Sequence, residues 1–167
     1  MCVKNVRWFI PFLFFCFTAA CSQNDEQRAF ERDAFSASEG YTQTTDNSET
    51  VNEDPDDWRV SPFYQGLVSI DPAFPNPAAG SENITINFHN HGIETVSGLI
   101  ALAYYSSTGG YTPLGHDYHG QLPTGPTFIN FQGSQVAQFP ENPQGLYRVI
   151  ILDGNENVIS YGDVQIE

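Results

Sequence analysis

Four histidines stand in two pairs, His89-x-His91 and His116-x-x-His119, with Asp117 inside the second. Imidazole nitrogens ligate zinc and copper, and residues two apart on a strand share a face, so each pair could supply part of a metal centre. Metal binding requires His89, His91, His116 and His119 to converge. The alternative is four histidines that are solvated or hydrogen-bonded locally. Asp153, Asn155 and Asn157 have the alternate spacing that opens a calcium loop. Val158 stands where the loop's glycine belongs and Val164 where its closing glutamate belongs, so a hairpin turn accounts for them better. Asp54, Asp56 and Asp57 form an acidic run that solvation alone explains. No glycine-rich phosphate cradle, nucleophile elbow or nucleophile–base pair occurs at a usable spacing. The expectation is a protein that is not an enzyme and takes no cofactor.

The elements that must position these residues lie between Trp58 and Glu167. Over these 110 or so residues, short aromatic and branched-aliphatic runs alternate with Gly, Pro and Asn, and no helical period is sustained. Strands are predicted at Phe63–Ile70, Asn83–His91, Val96–Ser106, Leu114–Tyr118, Thr127–Phe139, Leu146–Asp153 and Val158–Ile166. The fifth is either one strand or two broken near Gly133-Ser134. Ile84, Ile86 and Phe88 alternate with Thr85, Asn87 and His89, so one face is core and the other polar. Val96–Ser106 and Leu146–Asp153 are apolar on both faces, as central strands. About seven such strands predict an all-β, antiparallel sandwich. Ile84, Ile86, Phe88, Leu102, Tyr147, Val149 and Ile151 are its expected core. An up-and-down path brings the two histidine pairs to the same end. The prolines of Asp71–Pro77 make a bent lead-in between the first two strands.

Upstream the composition changes. Residues 22–57 hold 11 acids against Arg28 and Arg32, and Val51 is their only branched aliphatic. Such a segment is expected to be an acidic, disordered tether, with a transient helix at Asp25–Phe35. Thirty-six flexible residues span roughly 30–35 Å, which would hold the domain off a membrane. Residues 58–167 add 9 acids against Arg59 and Arg148. So acidic a surface repels phosphate backbones and excludes nucleic acid as a partner. It also repels anionic headgroups, so any membrane contact is expected through an anchor rather than the folded surface.

Met1–Arg7 is a short basic region, Trp8–Phe17 an apolar run of ten residues, and Thr18-Ala-Ala-Cys21 a small-residue boundary. Ten residues rise about 15 Å as a helix, half a bilayer's hydrocarbon core, so this is an export signal rather than a span. Residues 1–21 resemble the signal and lipobox of bacterial lipoproteins. That resemblance implies lipidation of Cys21 and attachment to the cell envelope; cleavage after Ala20 is the other outcome these residues allow. Cys2 and Cys16 leave with the signal, so no internal disulfide can form. Asp25 and Glu26 soon after Cys21 resemble the acidic surface-export signals of some Gram-negative lipoproteins, a resemblance that implies the outer membrane.

Phe74-Pro-Asn-Pro-Ala78, followed by Asn83–Phe88, resembles the opening of type IX secretion C-terminal sorting tails, and Gly145-Leu-Tyr147 with Val149–Asp153 resembles their end. The chain closes on Glu167, where such tails carry a basic residue. Gly145-x-Tyr147-x-Val149 also resembles the tyrosine corner of immunoglobulin-like domains, which implies an immunoglobulin-like sandwich. The function expected is that of an interaction or assembly module with an envelope protein partner, Tyr104, Tyr105, Tyr111 and Tyr118 offering contact surface. The competing expectations are metal carriage through the histidines and carbohydrate binding on exposed aromatics.

Overall fold

The computed structural model describes residues 24–93 and 96–167. The expected signal segment 1–21, with Cys21, lies outside the described residues, as do the side chains of His116, Asp117 and His119. The architecture is the antiparallel β-sandwich that the spacing of apolar runs predicts. One sheet has the order β3-β4-β7, formed by Val68–Ile70, Asn83–Asn90 and Gly125–Gln132. The other has the order β6-β5-β8-β9, formed by Gly110–His119, Gly98–Tyr105, Gly145–Leu152 and Val158–Ile166. A separate hairpin pairs β1 (Gln43–Thr44) with β2 (Thr50–Asn52).

Side-chain alternation builds the core. Ile84, Ile86 and Phe88 of β4, with Ile129 and Phe131 of β7, face Leu99, Ala101 and Ala103 of β5 and Val149 and Ile151 of β8 across the sandwich. Two expected core residues sit elsewhere. Leu102 is buried on the outer face of its sheet, and Tyr147 is half-buried at the start of β8. The Tyr147 hydroxyl donates back to the Gln144 carbonyl at 3.4 Å, the upstream contact that a tyrosine corner makes.

Three strands differ in extent from expectation. Only Val68–Ile70 of Phe63–Ile70 is extended, because residues 61–67 turn twice, Tyr64 N–H donating to Ser61 and Leu67 N–H to Tyr64 at 3.0 Å each. The edge strand β6 runs Gly110–His119, longer than Leu114–Tyr118, with a register shift opposite Ile100–Leu102. β7 stops at Gln132, where Gly133–Val136 makes a single helical turn.

The largest difference lies upstream of Trp58. Expected as a disordered tether, residues 24–57 are instead seated on the sandwich. Residues 24–34 form a helix, α1, that buries Gln27, Phe30 and Ala34 along one stripe. Phe30 and Ala34 pack on Leu102, Ile150, Leu152, Val158 and Tyr161, the outer face of the four-stranded sheet. The physical reason is in those strands. A sandwich buries one face of each sheet, so strands apolar on both faces require a third layer, and α1 provides it. The helix expected at Asp25–Phe35 is present, but low average hydropathy hid its docking, because its apolar residues are few though aligned. No helix among the described residues is long and apolar enough to cross a membrane.

Candidate functional site

Beneath the C-terminal end of α1 lies a cleft of about 380 Å³ whose walls include Asp33, Asp57, Arg59, Arg148, Tyr161 and Asp163. Arg148 of β8 stands opposite Asp163 of β9 in the ladder, so both side chains leave the same face. The guanidinium donates to the Asp163 carboxylate through Nε and, at 2.9 Å, through Nη2. Its remaining nitrogen, Nη1, donates to the Asp33 carbonyl at 2.9 Å, capping the C-terminal end of α1. The Tyr161 ring lies beneath the guanidinium at 4.7 Å, and the Tyr161 hydroxyl accepts from Arg59 Nη2 at 2.9 Å. Burial lowers the affinity of Arg148 for its proton, but the hydrogen bond and charge of Asp163 outweigh it and hold the group above its ordinary range.

Asp57 completes the cleft. Its carboxylate accepts the Thr42 N–H at 2.7 Å and the Asp163 N–H at 2.9 Å. Burial, with the Asp163 charge adding, pushes its pKa up to about 7, against the opposing pull of the two backbone donors. Asp57 can therefore exchange a proton near neutrality. Its two oxygens are nonetheless occupied in tying the 42–57 segment to β9.

Asp153, Asn155 and Asn157 form the β8–β9 turn, as expected of a hairpin. The Asp153 carboxylate accepts the N–H groups of Asn155 at 2.9 Å and Asn157 at 2.8 Å, and the Tyr64 hydroxyl at 2.7 Å. Burial pushes its pKa up, but Tyr64 and the turn's donors prevail and hold it below the ordinary carboxylate range. Burial and this same carboxylate push the Tyr64 phenol up.

His89 and His91 share a face, as their spacing predicts. Their rings stack at 4.6 Å, both are exposed, and His91 Nε2 lies 3.0 Å from Ser69 Oγ. The other pair belongs to β6, in the opposite sheet, and His119 is level with Gly98 at the same end of the sandwich. Among the described residues, no three His, Cys, Asp or Glu side chains gather as a metal site. Of the four tyrosines expected at a contact surface, Tyr111 and Tyr118 are exposed, Tyr105 is in the inter-sheet core, and Tyr104 packs edge-on against Phe35 at 5.2 Å.

The proline-rich lead-in covers the edge of β9. Asn76 is fully buried there, donating from Nδ2 to the carbonyls of Thr42 and Asp163 and accepting the Gln165 N–H, each at 2.9 Å. Both Phe74–Pro75 and Asn76–Pro77 are cis. Sequence reasoning missed the Arg148–Asp163 pair, the Asp57 bridge and the Asn76 clamp. A signal was present for the first, since Arg148 is a charge set into an otherwise apolar strand and Asp163 is the single charge in the strand after it. No protein-family model matches the chain, and no curated protein matches it in sequence.

Proposed function

We propose that this chain is a non-catalytic, lipid-anchored protein of the cell envelope. In this reading residues 1–21 export it, acyl chains at Cys21 hold it in the outer membrane, and its sandwich is an interaction or assembly module for an envelope protein. The observation that carries the module reading is the contrast between the two outer sheet faces. That of β6-β5-β8-β9 is covered by the chain's own α1. That of β3-β4-β7 is open. On it Phe128, 55% exposed, stands in register with Asn87, beside Pro126, His89 and Asp71, around a hollow of about 260 Å³. An exposed aromatic ring bordered by hydrogen-bonding groups on a rigid sheet is what protein contact patches are made of. The buried charges, by contrast, are engaged in holding elements together.

Two measurements test this. Detergent-phase partition should put the intact protein in the detergent phase and Cys21→Ala in the aqueous phase, since two or more acyl chains make membrane attachment stable. Equal partition refutes the anchor. Cross-linking in the membrane should capture a protein with the wild type that is lost with Phe128→Ser. Equal capture refutes the open sheet as the contact face.

A further inference from the structure

The docked helix fixes where a lipid on Cys21 must leave the molecule. α1 runs alongside β9. Gln27, in its first turn, donates to the Val158 carbonyl at 3.4 Å, and Asp33, in its last, is tied to Arg148, which stands opposite Asp163. The helix therefore begins at the end of the sandwich that carries the β8–β9 turn. Cys21 precedes residue 24 by three residues, a reach of at most about 11 Å. An anchor there holds the domain against the bilayer, not at the distance a free 36-residue tether would give.

The same end presents apolar side chains to solvent. Gln27 Oε1 accepts the Phe63 N–H at 3.3 Å, and the adjoining Tyr64 binds Asp153 of the β8–β9 turn. Leu67, in the same turn, accepts the His91 N–H at 2.8 Å, and Ile93 follows two residues on. Phe63, Leu67 and Ile93 are all exposed, Ile93 to 84%. Large apolar groups exposed together at one end of a domain mark a surface that something covers.

We infer that this loop end rests on the membrane that holds the anchor, with Phe63, Leu67 and Ile93 entering its interfacial layer. The inference rests on lipidation of Cys21. Contact is apolar, not electrostatic, because Asp25 and Glu26 in the first turn of α1 and Glu156 in the β8–β9 turn lie at the same end and repel anionic headgroups. Zwitterionic lipid is therefore the preferred surface.

Lipidation leaves no free thiol in the mature chain, so an introduced cysteine can carry a nitroxide. The intact, lipidated protein is reconstituted in phosphatidylcholine vesicles, labelled at Ile93→Cys or Phe63→Cys, with Ser107→Cys in the exposed β5–β6 turn at the opposite end as control. Both loop-end labels should be several-fold more accessible to oxygen than to a water-soluble nickel complex, and Ser107→Cys the reverse. Flotation of the same samples reports the anchor separately. Protein that floats while the Ile93 and Phe63 labels behave like the Ser107 label overturns the inference and leaves the anchor standing. Protein that does not float overturns both.

Discussion

Arg148 and Asp163, opposite one another on β8 and β9, form a buried ion pair whose spare guanidinium nitrogen ends the helix that covers their sheet. One cation thus joins three elements: two strands and the segment before them. Breaking such a pair from one side leaves the other charge buried without compensation. Arg148→Met should cost about 3–5 kcal/mol, most of it the stranded Asp163. The double variant Arg148→Met/Asp163→Leu should recover much of that loss in urea unfolding. Its α1 should still fray, since the Asp33 carbonyl loses its donor, and limited proteolysis within residues 24–40 should be faster than in the wild type. A double variant as unstable as the single one would show that the pair does more than neutralise itself.

The docked helix changes what truncation does. Deleting residues 22–40 uncovers Leu102, Ile150, Leu152 and Tyr161 at once, so the remaining chain should bind hydrophobic dyes and self-associate. Phe30→Ala is the gentler probe. Phe30 packs on Tyr161 at 4.9 Å and is buried, so its loss should cost about 3 kcal/mol. Phe35→Ala, one residue beyond the helix and half exposed, should cost less than about 1 kcal/mol. Thermal unfolding distinguishes the two. Equal shifts would mean that α1 contributes nothing specific.

Within the sandwich, register separates neighbours sharply. Ile86 points between the sheets opposite Ile129, whereas Thr85 points outward and hydrogen-bonds Asn130 at 2.8 Å. Ile86→Asp strands a carboxylate in apolar surroundings and should prevent folding or cost more than about 4 kcal/mol. Thr85→Asp loses one exposed hydrogen bond and should cost about 1 kcal/mol or less. The pair of denaturation midpoints decides it, and a Thr85→Asp variant as unstable as Ile86→Asp would invert the register of β4.

What the sequence made legible follows from period. β4, β5 and β8 announce themselves by alternation or by unbroken apolar runs, and β9 by its place after the Gly154–Asn157 turn; how they pair into two sheets is not written in those runs. The doubly apolar strands carried a further message. Ile100, Leu102, Ile150 and Leu152 cannot face water, so something upstream or downstream must cover them. Read by average composition, residues 24–57 looked unable to pack. Read by position, Gln27, Phe30 and Ala34 make a stripe at helical spacing. The cleft was less legible, because the partners of Asp57 are backbone N–H groups of Thr42 and Asp163. A backbone donor leaves no mark in a sequence, and a separation of 106 residues leaves no local one. Asn76 escaped for the same reason, its amide serving the main chain of three distant residues.

The Asp57 bridge has a pH signature whose direction is fixed by its shift. The carboxyl holds its proton up to about pH 7 when folded and only to its ordinary 3.8 when unfolded. Between those values the folded chain binds more protons than the unfolded one, so raising the pH withdraws stability across the window. For a single group the slope is no steeper than about 1.4 kcal/mol per pH unit. Asp153 acts in the opposite sense and elsewhere: its lowered value makes its contribution complete above the ordinary carboxylate range and lost only in acid below it. The two are therefore separable by titration between pH 5 and 8. Urea midpoints of the wild type should fall over that interval. Asp57→Asn abolishes the titration but sets its amide NH2 against one of the two backbone donors, from Thr42 or Asp163, so the variant should lie about 1–3 kcal/mol below the wild type at pH 5, remain flat, and see that gap narrow toward pH 8. If instead the gap between the two proteins holds constant or widens from pH 5 to pH 8, the hydrogen bonds from Thr42 and Asp163 outweigh burial, and the charged form is the one the fold prefers.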